Sequence, residues 1–230
     1  MTAIFRLPIR QLAGSLASFP VSRYPGRMMR HCLLGLLLTA AALCAGQYSK
    51  EDREALIGQL DESKRELVIA TEGLNQQQSA WKPDSATWSV IEVMEHLARM
   101  EDFLFGILEE ALEKSKPIPD DVRLPDPSEM DHRILLQMPD RSVKTKSPEQ
   151  GWPKEAYQNR DEAFLAFSRK REKTMEFVRT TKLDPRRYRI NSPFGPIDGH
   201  QWLLMLSAHT QRHVKQIDEL KRHELFPKTE

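Results

Sequence analysis

The chain has 230 residues with 34 basic and 33 acidic side chains, so its formal net charge is +1. Five arginines and no acidic residue lie in positions 1–46, which leaves 29 basic against 33 acidic residues in the remainder, a net charge of −4. Such a mildly acidic domain is unsuited to binding the phosphate backbone, so no nucleic-acid partner is expected. Cys32 and Cys44 also lie in this first segment, so the remaining domain has no disulfide and no thiolate ligand.

The first 46 residues have the order of a secretory signal. A basic stretch is followed by an apolar run over residues 33–45 and then by small residues. The run is shorter than the roughly 20 apolar residues of a membrane-spanning helix. We therefore expect residues 1–46 to direct export and residues 47–230 to form one domain in the periplasm or outside the cell. An uncleaved membrane anchor is the alternative. Because the signal would begin more naturally at Met28, a misassigned start codon is a further hypothesis.

Apolar residues spaced three and four apart predict a first helix over residues 49–74. A second helix is predicted over residues 89–114, where Ser89 and Glu92 have the spacing of a capping box. His96 falls on the apolar side of this second helix. Its imidazole is therefore expected to point to the core and not to water.

A proline-rich connection, Lys116–Pro153, follows the second helix. Such a length is unusual within a compact domain and predicts a crossover or a functional lid. A short helix is predicted within it over residues 131–138. The third main helix is predicted over residues 154–181, ending before Asp184 and the proline that follows it.

The fourth helix is predicted to begin at Asp198, which has a capping-box spacing with Gln201, and to run to about Leu220. No segment shows the alternation of a β-strand, and residues 191–196 have the composition of a turn. These patterns predict an all-α fold. The leading architecture is a four-helix bundle with a long crossover connection between helices two and three.

Three histidines are placed to share a site. His209 and His213 lie four residues apart, so their imidazoles share one face of the fourth helix. His96 on a facing helix would complete a three-nitrogen metal site with an open coordination position. Neutral imidazoles suit zinc, nickel, iron, manganese or copper, and the sequence does not choose among them. The simpler alternative is a set of hydrogen-bonded core histidines without metal.

Several neighbouring residues have two interpretations. Glu92 lies one turn before His96 and could orient its imidazole, although a role in the capping box is the simpler one. The tryptophans Trp81, Trp88 and Trp202 are expected to fill the core of the bundle and its end, and not to bind a cofactor.

The segment Trp88–Leu97, which reads Trp-Ser-Val-Ile-Glu-Val-Met-Glu-His-Leu, resembles the helix-two signature of the DinB-like (DinB/YfiT) superfamily. The segment from Gly195 to Ile217 resembles the last helix of that family, and the whole resemblance spans about residues 50–224. It implies a four-helix bundle with a long crossover and a divalent metal held by the same three histidines.

The resemblance also implies a class of activity, since family members include metal-dependent transferases and isomerases that use low-molecular-weight thiols. Those thiols are cytosolic, whereas this chain is expected to be exported. That difference weighs against thiol chemistry here. From the three-histidine site and the resemblance together, we expect a divalent-metal-dependent hydrolase or thiol/group transferase with an unknown small-molecule substrate. The alternatives are a non-catalytic bundle that binds metal or a partner, and a purely structural bundle. Family members often pair, so a homodimer is also expected.

Overall fold

The computed structural model describes residues 47–228, so the predicted signal over residues 1–46 lies outside the described residues. The described part of the chain contains these α-helices: α1 (Lys50–Thr71), α2 (Gln76–Ala80), α3 (Val90–Lys114), α4 (Ser128–Gln137), α5 (Arg160–Thr180) and α6 (Gly199–Lys221). Two strands, β1 (Arg189–Ser192) and β2 (Gly195–Asp198), lie between α5 and α6. Among these described helices, none combines the length and the apolar character needed to cross a bilayer.

The four long helices α1, α3, α5 and α6 form the bundle. Helix α3 packs along α5 and α1 packs along α6, while α1 with α5 and α3 with α6 close the ring. Buried apolar side chains fill the space between them, including Leu56, Leu97, Phe167 and Leu203. The predicted four-helix bundle is therefore confirmed as the main architecture.

Local capping explains where two of these helices begin. At α3, the Ser89 hydroxyl accepts from the Glu92 amide at 3.2 Å and the Glu92 carboxylate accepts from the Ser89 amide at 2.7 Å. Asp198 and Gln201 form the same reciprocal pair at α6, at 2.7 and 3.0 Å. Each box satisfies amides that have no partner within the helix. Both predicted capping boxes are confirmed.

Helix α5 begins at Arg160, six residues later than predicted. Its N-cap is Asn159, whose side chain accepts from the Glu162 amide at 2.9 Å. The preceding residues do not extend the helix because Glu155 has φ 58°, which is incompatible with a right-handed helix. The amides on either side of it, of Lys154 and Ala156, donate to a side chain of α3. The short helix predicted over residues 131–138 is observed as α4, and α2 was not predicted.

The all-α prediction is corrected at residues 189–198, where β1 and β2 pair as an antiparallel hairpin. Ile190 and Ile197 lie opposite each other and are both buried. Each strand has only four residues, which is too short for alternation to show in the sequence. Gly195 closes the turn at φ +92°, a backbone conformation that favours glycine.

The connection between α3 and α5 covers residues 115–159 and is tied to the bundle along its length. Its helix α4 packs against α6. The guanidinium of Arg212, on α6, donates to the carbonyl of Val143 at 2.7 Å. Near its end, the 3₁₀ turn Glu149–Gly151 packs against α3. The connection thus brings a distant backbone segment beside the helix that carries His96.

Candidate metal centre

The structure brings the three predicted histidines together. The Nε2 atom of His209 lies 3.2 Å from Nε2 of His96 and 3.1 Å from Nε2 of His213. One ligand atom from each ring lies within 4.8 Å of the other two. Helices α3 and α6 hold the rings, since His209 and His213 are one turn apart and His96 faces them across the bundle.

All three rings are buried, with 2% of His96, 8% of His209 and 6% of His213 exposed. Burial lowers the pKa of His96 to about 4, assisted by the nearby Arg99 cation. Burial also lowers the pKa of His209 and His213 well below the ordinary value, and the neighbouring imidazoles add to this effect. The rings are therefore neutral at pH 7, which is the form that binds metals.

Hydrogen bonds on the far side of two rings fix where their protons lie. Nδ1 of His96 donates to the carbonyl of Gly151 at 2.7 Å. Nδ1 of His213 donates to Oε1 of Gln216, also at 2.7 Å. A neutral imidazole has one N–H, so Nε2 of His96 and of His213 must carry lone pairs. Both lone pairs are on the atoms that approach His209.

This donor set fits a divalent cation. If Nε2 of His209 carries the proton, its single N–H cannot point at the lone pairs of both His96 and His213. If it carries a lone pair, three lone pairs meet without a positive charge between them. Metal–nitrogen bonds of about 2.0–2.1 Å place tetrahedral ligand atoms about 3.3–3.4 Å apart and adjacent octahedral ones about 2.8–3.0 Å apart. The observed 3.1 and 3.2 Å lie between these values. The distances are therefore compatible with either coordination number.

Trp88 packs against the apolar core, as predicted, and also lies against this cluster. Its ring centroid is 4.8 Å from that of His96 and 6.5 Å from that of His213. The indole is half-buried whereas the imidazoles are buried, so it shields them from solvent on one side. The structure thus adds an apolar surface beside the three nitrogens.

The other tryptophans match their prediction. Trp202 is buried in the core, where its indole N–H donates to the carbonyl of Leu104 at 2.7 Å. Trp81 packs edge-on against Phe226 at the end of the bundle, with ring centroids 5.5 Å apart.

Glu92 bonds to Ser89 and to Lys82 Nζ and makes no hydrogen bond to His96. Its predicted capping role is confirmed, and its alternative role as the partner of the imidazole is not what the geometry shows.

Two partners of the imidazoles were missed by sequence reasoning. Gln216 follows His213 by three residues on the same helix face, and that spacing could have identified it. Gly151 lies 55 residues from His96 along the chain, and no local pattern points to its carbonyl.

The model of the DinB superfamily matches residues 59–217, a range that includes all three histidines. The chain is 24% identical over 162 residues to the uncharacterized protein YuaE of Bacillus subtilis (strain 168), covering 70% of this chain and 94% of YuaE.

Among solved structures, the chain is similar to YfiT from Bacillus subtilis, described as a probable metal-dependent hydrolase with an unusual four-helix bundle topology. That similarity has a TM-score of 0.49 and 19% identity, and covers 76% of this chain and 88% of YfiT. The family assignment comes from the family model, which spans well over half of the sequence, including all of α3 and most of α6. The chain belongs to the DinB superfamily.

Proposed function

We propose that the protein is a metal-dependent enzyme in which His96, His209 and His213 hold one divalent transition metal. The observation that carries this proposal is the convergence of three buried Nε2 atoms, two of which carry lone pairs fixed by partners on the far side of the ring. A divalent metal bound there supplies Lewis acidity and lowers the pKa of a coordinated water toward ~7.

The charge of the donor set favours a particular class of reaction. All three ligands are neutral, so the site retains the full positive charge of the cation. A site of this kind stabilises an anionic nucleophile, either hydroxide or thiolate, and the negative charge that develops on an acyl or transferred group. The half-buried Trp88 excludes water from one side of the site. We therefore propose a hydrolase or a thiol/group transferase acting on a small molecule.

One observation favours a second candidate, a non-catalytic metal-binding protein. Among residues 47–228, the hydrogen-bond partners of the three imidazoles are Gly151, Gln216 and one another. Within the described chain, none of these hydrogen bonds is to a carboxylate. The hydrogen bonds around the rings therefore identify no general acid or base. A binding protein needs only the tight nitrogen site, whereas an enzyme here must depend on the cation and on groups of the substrate.

We also propose that the protein is exported and that residues 115–159 act as the predicted crossover. Export is supported by the order of basic, apolar and small residues before position 47. The crossover is supported by contacts along α3 and α5 that advance in the same direction. Glu101 pairs with Arg171, and Phe105 packs against Phe177, one to two turns later on both helices.

The test begins with elemental analysis of the purified protein after incubation with zinc, nickel, iron(II) and manganese. We expect one equivalent of metal in the parent and none in His213→Ala. The matched control is His132→Ala, which removes an exposed histidine outside the cluster. A panel of ester, amide and thiol-transfer substrates follows. Metal-dependent turnover that is lost in His213→Ala supports the enzyme, and tight binding without turnover favours the second candidate. A parent that binds no metal contradicts both.

A further inference from the structure

The connection between α3 and α5 ends in a segment that lies across α3. We call residues 150–156 the strap. Arg99 on α3 donates from Nε to the carbonyl of Gln150 at 3.1 Å. One turn earlier on α3, His96 donates from Nδ1 to the carbonyl of Gly151 at 2.7 Å. The strap is therefore part of the metal centre, because it supplies the group that fixes the proton of one ligand.

The far end of the strap is held by Glu95, the residue next to His96. One oxygen of the carboxylate accepts from the amide of Lys154 at 2.8 Å, and the other accepts from the amide of Ala156 at 3.0 Å. The side chain is only 1% exposed. Hydrogen bonds from amides to a buried ionised carboxylate are among the stronger ones in proteins. Glu95 thus holds two strap amides with a single side chain.

The backbone between the two amides has an unusual conformation. Glu155 has φ 58°, in the left-handed region that L-residues rarely adopt. The turn there lets the amides on either side point at the same carboxylate. The strap therefore departs from the backbone preference of an L-residue at the position between the two amides that Glu95 binds.

We propose that Glu95 is a positioning residue for the metal centre. It fixes the strap, and the carbonyl of Gly151 on the strap fixes the tautomer and ring orientation of His96. Partners that orient ligating imidazoles from behind raise metal affinity because the ring does not have to be ordered on binding. The inference rests on the proposed function, since it assigns a further part of the same metal site.

The approach of the strap to α3 leaves little tolerance. A Cβ added at Gly151 would collide with Sδ of Met100 and would lie 3.0 Å from Nδ1 of His96. The backbone at position 151 therefore leaves no room for a side chain between the strap and α3. A shift of about 1 Å would lengthen a 2.7 Å hydrogen bond beyond the normal range. Only two residues lie between Gly151 and Lys154, whose amide Glu95 holds, so we expect the loss of that hydrogen bond to loosen this carbonyl.

The test compares Glu95→Gln with the matched control Glu92→Gln. A glutamine at 95 accepts from one strap amide, but its NH₂ group faces the other amide and repels it. Glu92 lies on the same helix and also accepts two hydrogen bonds, from Ser89 and Lys82, but it accepts none from the strap. Both variants therefore lose a carboxylate from the first turns of α3, and only one of them loosens the strap.

Two readouts are measured at pH 7.5. The first is the ¹⁵N spectrum of the imidazoles in metal-free protein, which reports the tautomer of His96. We expect a single Nδ1–H tautomer in the parent and in Glu92→Gln, and a mixture in Glu95→Gln. The second is zinc affinity by competition with a chelator. We expect Glu95→Gln to bind zinc about 10 to 100-fold more weakly than Glu92→Gln does.

A Glu95→Gln variant that keeps the parent tautomer, or that binds zinc within twofold of Glu92→Gln, overturns the inference. If the parent binds no zinc, the proposed function fails, and the tautomer comparison alone still decides the role of Glu95. If Glu95→Gln does not fold, as judged by circular dichroism, Glu95→Asp takes its place, because the shorter side chain keeps the charge but cannot reach both amides.

Discussion

Two buried polar clusters lie within the same bundle, and they are built on opposite principles. In the first, the guanidinium of Arg171 is fully buried and forms a double hydrogen bond with Glu101, at 2.8 and 3.0 Å. Its remaining N–H groups reach acceptors on α1 and α6, including the Ser63 hydroxyl and the Thr210 hydroxyl. Every donor has an acceptor and the charges cancel, so this cluster is complete without a ligand.

The three-histidine cluster is equally buried but incomplete in itself. His96 and His213 each direct a lone pair at His209, and that ring has at most one N–H to offer. Burial and polarity alone therefore do not mark a functional site. What separates the two clusters is whether donors and acceptors balance within the protein, and only the histidines leave acceptors for a cation.

The largest effect is expected from Arg171→Met. This change leaves the carboxylate of Glu101 buried without its cation, which we expect to lower the free energy of unfolding by about 3–5 kcal/mol. Urea denaturation followed by circular dichroism measures the change. The double variant Arg171→Met with Glu101→Leu removes both charges and should recover most of the loss. If the double variant is as unstable as the single one, the loss does not come from the unpaired charge of Glu101, and the prediction is wrong.

The features that could be predicted from the sequence depend on residues close together along the chain. Helix starts at Ser89 and Asp198 were predictable because a capping box uses residues three apart. The pairing of His209 with His213 was predictable for the same reason, and His96 followed from its place on an apolar face. Each of these inferences rests on neighbours within one or two turns of helix.

The remaining features depend on partners that are distant in sequence. The strap is held by Glu95 from about 60 residues away, so the periodicity of the chain predicted α5 to begin too early. Arg171 lies 70 residues from Glu101, and a lone arginine within an amphipathic helix gives no sign of complete burial. The four-residue strands of the hairpin are also too short to show a period. Local patterns therefore predicted the four long helices and the convergence of the three histidines, but not the groups that orient the rings.

A buried histidine outside both clusters separates the effect of burial from the effect of metal. Nδ1 of His200 lies 2.6 Å from the hydroxyl of Tyr48, which donates to it. Burial, together with the cation of Arg186, lowers the pKa of His200 to about 4, although Asp52 and Asp131 act in the opposite direction. The folded protein therefore keeps this ring neutral at a pH where the unfolded chain takes up a proton.

The sign of the pH dependence follows from that difference. Above pH 6.5 neither state is protonated at His200, so the ring contributes nothing. As pH falls from 6.5 to 4, only the unfolded chain gains the proton, and stability falls by about 3 kcal/mol in total. The measurement is the difference in unfolding free energy between parent and His200→Gln across this window, without metal. Asp198, whose pKa burial raises to about 6, acts with the opposite sign but is present in both proteins. A difference independent of pH would contradict the prediction.

Metal addition should act on one cluster only. With free zinc at 100 times its dissociation constant, a site present only in the folded state adds about 2.7 kcal/mol to the free energy of unfolding. We expect this gain in the parent and also in Arg171→Met, because the arginine cluster is complete without metal. His213→Ala should show no gain. Thermal or urea unfolding with and without zinc measures it, and an equal gain in His213→Ala would place the zinc elsewhere.

The smallest effect concerns the strap, which contacts the histidine cluster through Gly151 and contains the positive φ at Glu155. Glu155 is exposed and has φ 58°, which costs an L-residue about 1–2 kcal/mol. Glu155→Gly removes that cost but adds about 0.5–1 kcal/mol of backbone entropy to the unfolded chain, so we expect a net gain of roughly 0–1 kcal/mol.

Lys154→Gly is the matched control for this change, because Lys154 is exposed on the same strap with φ outside the positive range. It bears the entropy cost without the relief and should lose about 0.5–1 kcal/mol. The two glycine variants therefore differ in sign if Glu95 holds the strap against its own conformational preference. Equal losses in urea denaturation would mean that the turn at Glu155 stores no strain. The strap would then resemble the Arg171 cluster, in which the donors and acceptors are paired without backbone strain.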